Sequence, residues 1–400
     1  MLFSKNQLEK YADVLIWGLY TARPKPFNPY DIIRLRFNIP GMPLAEIVHR
    51  KLVEKKMNVV LRPLSSHVVE KDFFSYSDSK QRSFIGSWER NLMENLNGNI
   101  FISAPESMTH LKNIDPQKIN ESAVAQKNLR KVMERREEKG LLSWTLCTYP
   151  TEELAKQAGL SLPDYTRQIV KACFLNEKNP VKIWKEIYRN SSFIKKWLDS
   201  LPIKTLHVQS HSCDLKVTPG LKRRYLGVSG HNIPSFEIFT SPDWRGTKGR
   251  YFANQPSFRS GNYVSGMTLD FKNGSVVSAK AVKGDIFLKK MISMDPGASK
   301  VGEFSLTDKR FSKIDRFMAD TLFDENFGGK NGNCHIAIGA SYSDTYNGDV
   351  AKLTSAKKKA LGFNDSALHW DLVNTEEKTV FAILDSGKKI TIYENGMFKY

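Results

Sequence analysis

The chain has 400 residues, with 60 Lys and Arg against 42 Asp and Glu, giving a formal net charge of +18. Its 40% apolar and 26% charged content describes a globular chain and excludes a disordered one. No run of eighteen apolar residues occurs, which excludes a helical membrane span, and the length suggests two domains rather than one core.

At the N-terminus, MLFSKNQLEKYADVLIWGLY carries Glu9 and Asp13, which interrupt any signal-type apolar core. A cytoplasmic location is therefore expected. Strand-like and helix-like segments then alternate. DIIRLRFNI and NVVLRPL read as strands on either side of the amphipathic helix PLAEIVHRKLVEKK, and NIFISAP follows the helical SFIGSWERNLMENL. This order implies crossover helices and parallel pairing. No GxGxxG accompanies it, so a dinucleotide site is not indicated. The next stretch is mainly helical, in INESAVAQKNLRKVMERREEKG, TEELAKQAGL and NPVKIWKEIYRNSSFIKKWLDSL, with SWTLCTYPT as a strand between helices. Thr151 and Asn179 stand where helix caps are expected.

After residue 200 short apolar pieces (KTLHVQS, CDLKV, SGMTLDF, SVVSAKAV, TVFAILD, KKITIY) are separated by Gly, Asn and Pro. Asn273-Gly274 predicts a tight hairpin, and Asp385-Ser386-Gly387 a second. The expectation is an α/β N-terminal domain over residues 1–200 with a doubly wound, mostly parallel sheet. An α+β C-terminal domain over 201–400 should carry a twisted, largely antiparallel sheet.

Two signals lead to bland readings. The basic runs KVMERREEKG and SAKKKALG are short, and no RNA-binding aromatic signature or zinc finger accompanies them. The net charge is read as serving solubility, and no nucleic-acid partner is expected. Cys147, Cys173, Cys213 and Cys334 are dispersed, as fits reduced thiols, and Cys334 reads as a small buried thiol. His207 and His211 are four apart, but KTLHVQSHSCDLKV reads as strands and a turn, so no metal site is assigned there.

The second half also holds Glu237 in PSFEIFTSP, Glu303 in GEFSL, Glu325 in FDENFGG, His335 in GNCHIAIGASY, and His369 and Asp371 in ALHWDL. Carboxylates mixed with imidazoles, without cysteine, are the ligand set of a catalytic divalent-metal site. Six candidates exceed what one four-coordinate ion needs, so two neighbouring metals are suggested. Singly, each has an ordinary alternative. Glu237 suits the surface of an alternating strand, Glu303 a helix N-terminus, Glu325 a turn or cap, and His335 a hydrogen-bonded core position. On a strand, His369 and Asp371 share one face and Trp370 takes the other.

In order, FEIFTSP, VGEFSL, FDEN, CHIAIGASY and NDSALHWD resemble the thermophilic aminopeptidase family of metallopeptidases, the aminopeptidase T, aminopeptidase S and PepS group. The likeness covers residues 205–400 and extends more loosely to GNIFISAPES and SWTLCTYPTEELA. It implies a two-metal exopeptidase acting on peptide substrates with a free N-terminus. The implied ligands are Glu237, Glu303, Glu325, His335, His369 and Asp371, with Glu303 shared between the ions and carrying a proton to the leaving amine. Tyr342 is the implied hydrogen-bond donor to substrate. The two divalent ions are drawn from zinc, cobalt, manganese and magnesium. A homodimer is also implied, in which residues 1–200 help enclose a chamber. Two features depart from the family pattern: FGGKNGNC between Glu325 and His335 is longer than in some members, and Ser235-Phe236 stands where a polar residue and glycine are usual. The competing readings are another dinuclear metal hydrolase, such as an amidohydrolase or phosphoesterase, and a non-catalytic relative that binds peptide or nucleic acid.

Overall fold

A computed structural model describes residues 2–400. The chain divides into two compact units: residues 1–188 with 228–235 and 318–322, and residues 189–227 with 236–317 and 323–400.

The first unit is built on a five-stranded parallel sheet in the order Asn58–Pro63, Ile32–Phe37, Gly98–Ser103, Ser143–Thr148, Asn232–Ile233. Its central strands bury Ile33, Leu35, Ile100 and Ile102 on one face, while the intervening Arg34 and Asn99 are buried polar residues on the other. Helices begin where side chains satisfy the free N–H groups of the first turn. Ser4 and Gln7 form a capping box at the start of Lys5–Thr21. Thr151 accepts from Leu154 N at 3.2 Å, and Asn179 from Lys182 N at 3.0 Å. The single long helix read in INESAVAQKNLRKVMERREEKG is two, Pro116–Ala125 and Lys127–Glu138, meeting at Gln126. Its apolar positions are too sparse to fix one continuous buried stripe: the second helix contributes no fully buried residue.

Among the described residues, the second unit contains two large antiparallel sheets and a two-stranded ribbon of Ser257–Arg259 with Asn262–Val264. The larger has eight strands, ordered Ser275–Lys280, Met267–Lys272, Asp243–Ala253, Asp214–Thr218, Ile203–Ser210, Lys378–Leu384, Lys389–Glu394, Met397–Phe398. At the predicted hairpin, Asn273 (φ 51°) and Gly274 (φ 80°) both take left-handed backbone, the requirement of a tight two-residue turn. The smaller sheet has four strands, ordered His369–Asn374, Asn333–Gly339, Val301–Thr307, Glu237–Thr240.

One apolar cluster joins these sheets. Leu206, Leu215, Tyr251, Leu269 and Ile392 of the larger meet Phe304, Leu306, Ile336, Ile338, Trp370 and Leu372 of the smaller. Each fully buried side chain of this kind contributes about 1.5–3 kcal/mol. Two tyrosine hydroxyls of the larger sheet also reach the smaller sheet's backbone: Tyr251 toward the Leu372 carbonyl at 2.7 Å and Tyr393 toward Thr307 O at 2.7 Å. The small sheet is thus anchored along its apolar face, which leaves the opposite face for polar side chains.

Candidate metal centre

Strand alternation sorts the small sheet's residues. Ile238, Phe304, Leu306, Cys334, Ile336, Ile338, Trp370 and Leu372 enter the core. Their intervening neighbours Glu237, Glu303, Ser305, His335, Ala337, His369 and Asp371 therefore line the other face. The register completes the arrangement. Glu303 and Asp371 both lie opposite Ala337, and Ser305 opposite His335. Ala337, small and central, leaves room above the sheet between two carboxylates. The strand bends at Gly339, where a Cβ would lie 2.1 Å from the Leu368 carbonyl oxygen and φ is 107°.

Glu325 comes from outside the sheet, directly after the short helix Thr321–Asp324, and is buried. Thr307 Oγ1 donates to its carbonyl at 3.1 Å and Asn333 Nδ2 at 2.9 Å. Asn326, fully buried beside it, accepts with one carboxamide oxygen from Phe236 N at 2.5 Å and Glu237 N at 3.1 Å. Its Nδ2 stands 3.4 Å from Glu325 Oε1. The long stretch to His335 therefore does not leave Glu325 loose, because its carbonyl is held by the paired strand-end residues Thr307 and Asn333.

The structure brings together all the acids and imidazoles singled out from sequence. Glu237, Glu303 and His335 present ligand atoms within 4.8 Å of one another, and so do Glu325, His335 and Asp371. His335 Nε2 lies 3.2 Å from Glu237 Oε2 and 3.1 Å from Glu303 Oε1. His369 Nε2 lies 3.4 Å from Asp371 Oδ1 and 3.8 Å from Glu303 Oε2. Its Nδ1 is 2.9 Å from Ala340 O, a contact that needs Nδ1 protonated and so turns the Nε2 lone pair into the site. Glu303 lies mid-strand, not at a helix N-terminus. Tyr342 follows the bend, with Tyr342 N donating to Ser241 Oγ at 2.8 Å. Its ring is 4.7 Å from that of His369, and the residue remains 39% exposed.

Protonation in the cluster reflects a shortage of positive charge. Burial first, then the Glu237 charge, raises the Glu303 carboxyl to about 7 against the opposing His335 hydrogen bond. Glu325 is held well above the carboxylate range by burial and by the charges of Glu237 and Asp371. Burial alone would lower both imidazoles, yet neighbouring carboxylates raise His335 well above its ordinary value and His369 to about 9. For Asp371, burial is outweighed by His369, which leaves the carboxyl at about 2. Desolvation, followed by the charges of Glu303 and Asp371, keeps the Tyr342 phenol protonated. His335 Nδ1 is buried without a hydrogen-bond partner. Oxygen and nitrogen donors this close, with surplus negative charge and an orphan imidazole nitrogen, fit divalent cations.

Over residues 4–398 the sequence matches the model of the thermophilic metalloproteases, M29. The chain belongs to that family. Among its relatives, aminopeptidase PepS of Streptococcus thermophilus is 25% identical over 98% of each chain. Aminopeptidase AmpS of Bacillus subtilis (strain 168) is 31% identical over 58% of each. The solved structure of wild-type AmpT from Thermus thermophilus superposes with a TM-score of 0.79 over 99% of this chain and 100% of that one, at 20% identity. The chain shares the fold of that structure.

Several supporting residues escaped the sequence reading. Asn326 and Asn333 hold Glu325, and Ser305 Oγ donates to Glu237 Oε2 at 3.2 Å. Arg259 Nη1 donates to His369 O at 2.7 Å, and its charge helps depress Asp371. Asn326 lies within FDEN and Asn333 within GNCH, yet neither asparagine nor Arg259 carries a sequence signal of its supporting role.

Proposed function

We propose that the chain is a metal-dependent aminopeptidase that removes N-terminal residues from peptides at the Glu237, Glu303, Glu325, His335, His369 and Asp371 cluster. The observation that carries this reading is the convergence of those acids and imidazoles, from separate segments, on one buried face in a member of a metalloprotease family. The relatives named aminopeptidases supply the substrate class. Two donor sets that share His335 support a pair of ions, and oxygen and nitrogen ligands suit zinc, cobalt, manganese or magnesium.

When bound, such ions supply a water acidified toward neutrality and a Lewis acid for the scissile carbonyl. The protein's own groups do the rest. Glu303, whose carboxylate reaches His335 Nε2 at 3.1 Å from mid-strand, would accept a proton at a carboxylate oxygen and return it to the leaving amine. Tyr342, protonated and beside His369, donates a hydrogen bond to the oxygen on which negative charge develops. Asp371 and Glu237 would serve as anionic ligands of the cluster, and His369 beside Asp371 favours its ionised form. The His369 Nδ1 contact to Ala340 O keeps that imidazole oriented throughout.

The finer parts of the reading are a cytoplasmic homodimer whose catalytic domain is residues 201–400. Four buried, unpaired cysteines support a reducing compartment. Exposed Val69, Phe73, Tyr76, Phe84 and Trp88 support a self-associating surface in the first unit. Light scattering at twice the chain mass is expected, and a monomer would remove the dimer from the account.

An aminoacyl anilide and its N-acetylated counterpart test the function. Turnover of the free-amine substrate should disappear on chelation and return with one of the four ions, while the acetylated substrate stays intact. Full activity in exhaustively demetallated protein, or equal turnover of the blocked substrate, would overturn it.

A further inference from the structure

The first unit carries chemistry that hydrolysis does not use. In its parallel sheet the chain steps from Ile32–Phe37 outward to Asn58–Pro63, then crosses back to Gly98–Ser103 on the other side. In open α/β sheets, the crevice beyond the carboxyl ends of the strands at such a reversal is where ligands bind. Arg36 and Phe101 are register partners near those ends, and Arg62 is the partner of Arg36 on its other side. Arg34, two residues back, shares the same face.

Three guanidiniums thus crowd one face, and like charges on adjacent strands destabilise a sheet. The carboxylate among them is Glu89, 3.3 Å from Arg62. Arg34 is 8% exposed and donates to neutral groups instead: Asn99 Oδ1 at 2.8 Å and Met93 Sδ at 3.5 Å. Arg36 makes no hydrogen bond or ion pair with any described residue, yet its guanidinium is held over the Phe101 ring at 5.2 Å. Burial pulls Arg34 down to about 10 and lowers Arg36 as well, and the Glu89 charge, paired directly with Arg62, offsets this only in part. A stacked guanidinium with an unfilled planar fork is pre-organised for a bidentate oxyanion.

We infer that Arg36, backed by Arg34 and Arg62, binds a small oxyanion, a phosphate or carboxylate group, at the carboxyl edge of the parallel sheet.

The test is isothermal titration of the full-length, metal-loaded protein at low salt with inorganic phosphate and, separately, with succinate. Saturable binding of at least one is expected: phosphate alone assigns a phosphorylated ligand, succinate alone a carboxylate. Arg36→Met should weaken that binding about tenfold or more, the loss expected for a charge-assisted bidentate contact. Arg36→Lys, which keeps the charge but not the fork, should fall between. Arg36→Met should also unfold no lower than wild type and hydrolyse the anilide unchanged. Binding of neither probe, or equal binding in Arg36→Met, overturns the assignment.

Discussion

Replacing Asn326 separates support of the metal centre from the centre itself. Its Oδ1 receives the N–H groups of Phe236 and Glu237, and its Nδ2 approaches Glu325 Oε1. Asn326→Ala strands two buried donors, each costing about 1–3 kcal/mol, so a loss of roughly 2–6 kcal/mol is expected. For a unit of 150–250 residues, each kcal/mol moves the melting temperature by about 2–4 °C, which predicts a fall of roughly 4–24 °C. Glu237 and Glu325 lose a common tether, so kcat/KM should fall by about tenfold or more even well below the new melting temperature. Asn326→Asp keeps the acceptor but replaces the donor with another negative charge beside Glu325. It should keep most of the stability in metal-loaded protein and destabilise the chelated protein. Thermal unfolding and initial rates on both variants check this. Wild-type stability and activity in Asn326→Ala would refute the tethering role.

Other outcomes follow from the same geometry. Tyr342→Phe should lower kcat about a hundredfold with little change in melting temperature, as for loss of one donor to a developing oxyanion; an unchanged kcat would remove Tyr342 from the chemistry. Ala337→Leu fills the space between Glu303 and Asp371, so it should abolish metal binding by equilibrium dialysis while circular dichroism still reports a folded chain. The pH dependence has a definite sign. In metal-free protein, Glu303 at about 7 and His369 at about 9 bind protons more tightly folded than unfolded. Stability from these groups is present at low pH and lost as pH rises through the carboxylate range to about 9. Metal binding favours the deprotonated ligands, so the melting-temperature gap between loaded and chelated protein should widen over that range. A constant gap would contradict the shared titration.

Legibility from sequence followed periodicity. His369 and Asp371 were readable as one face because a strand repeats every two residues, and Trp370 between them is buried as alternation requires. The parallel sheet was legible in DIIRLRFNI, NVVLRPL and NIFISAP because short β-branched and apolar runs alternate with amphipathic helices, although Asn58–Pro63 is an exposed edge strand. Its fifth strand, Asn232–Ile233, is too short to carry any period. The long strand Asp243–Ala253 escaped because Arg245, Lys248 and Arg250 and two glycines mask its alternation, although Tyr251 and Ala253 enter the core. Glu303 alone allowed a helix-terminal reading, which its position mid-strand replaces. Asn326 and Asn333 were invisible for a different reason: a carboxamide's role depends on which buried donors and acceptors lie within 3 Å, and that is tertiary information.

The central claim is tested most directly by anomalous scattering from crystals of active protein, collected at the absorption edges of the candidate metals. Two peaks about 3.5–4 Å apart are expected, ligated by Glu237, Glu303, Glu325, His335, His369 and Asp371. An active crystal with no peak within that cluster, or with its metal bound elsewhere, would contradict it.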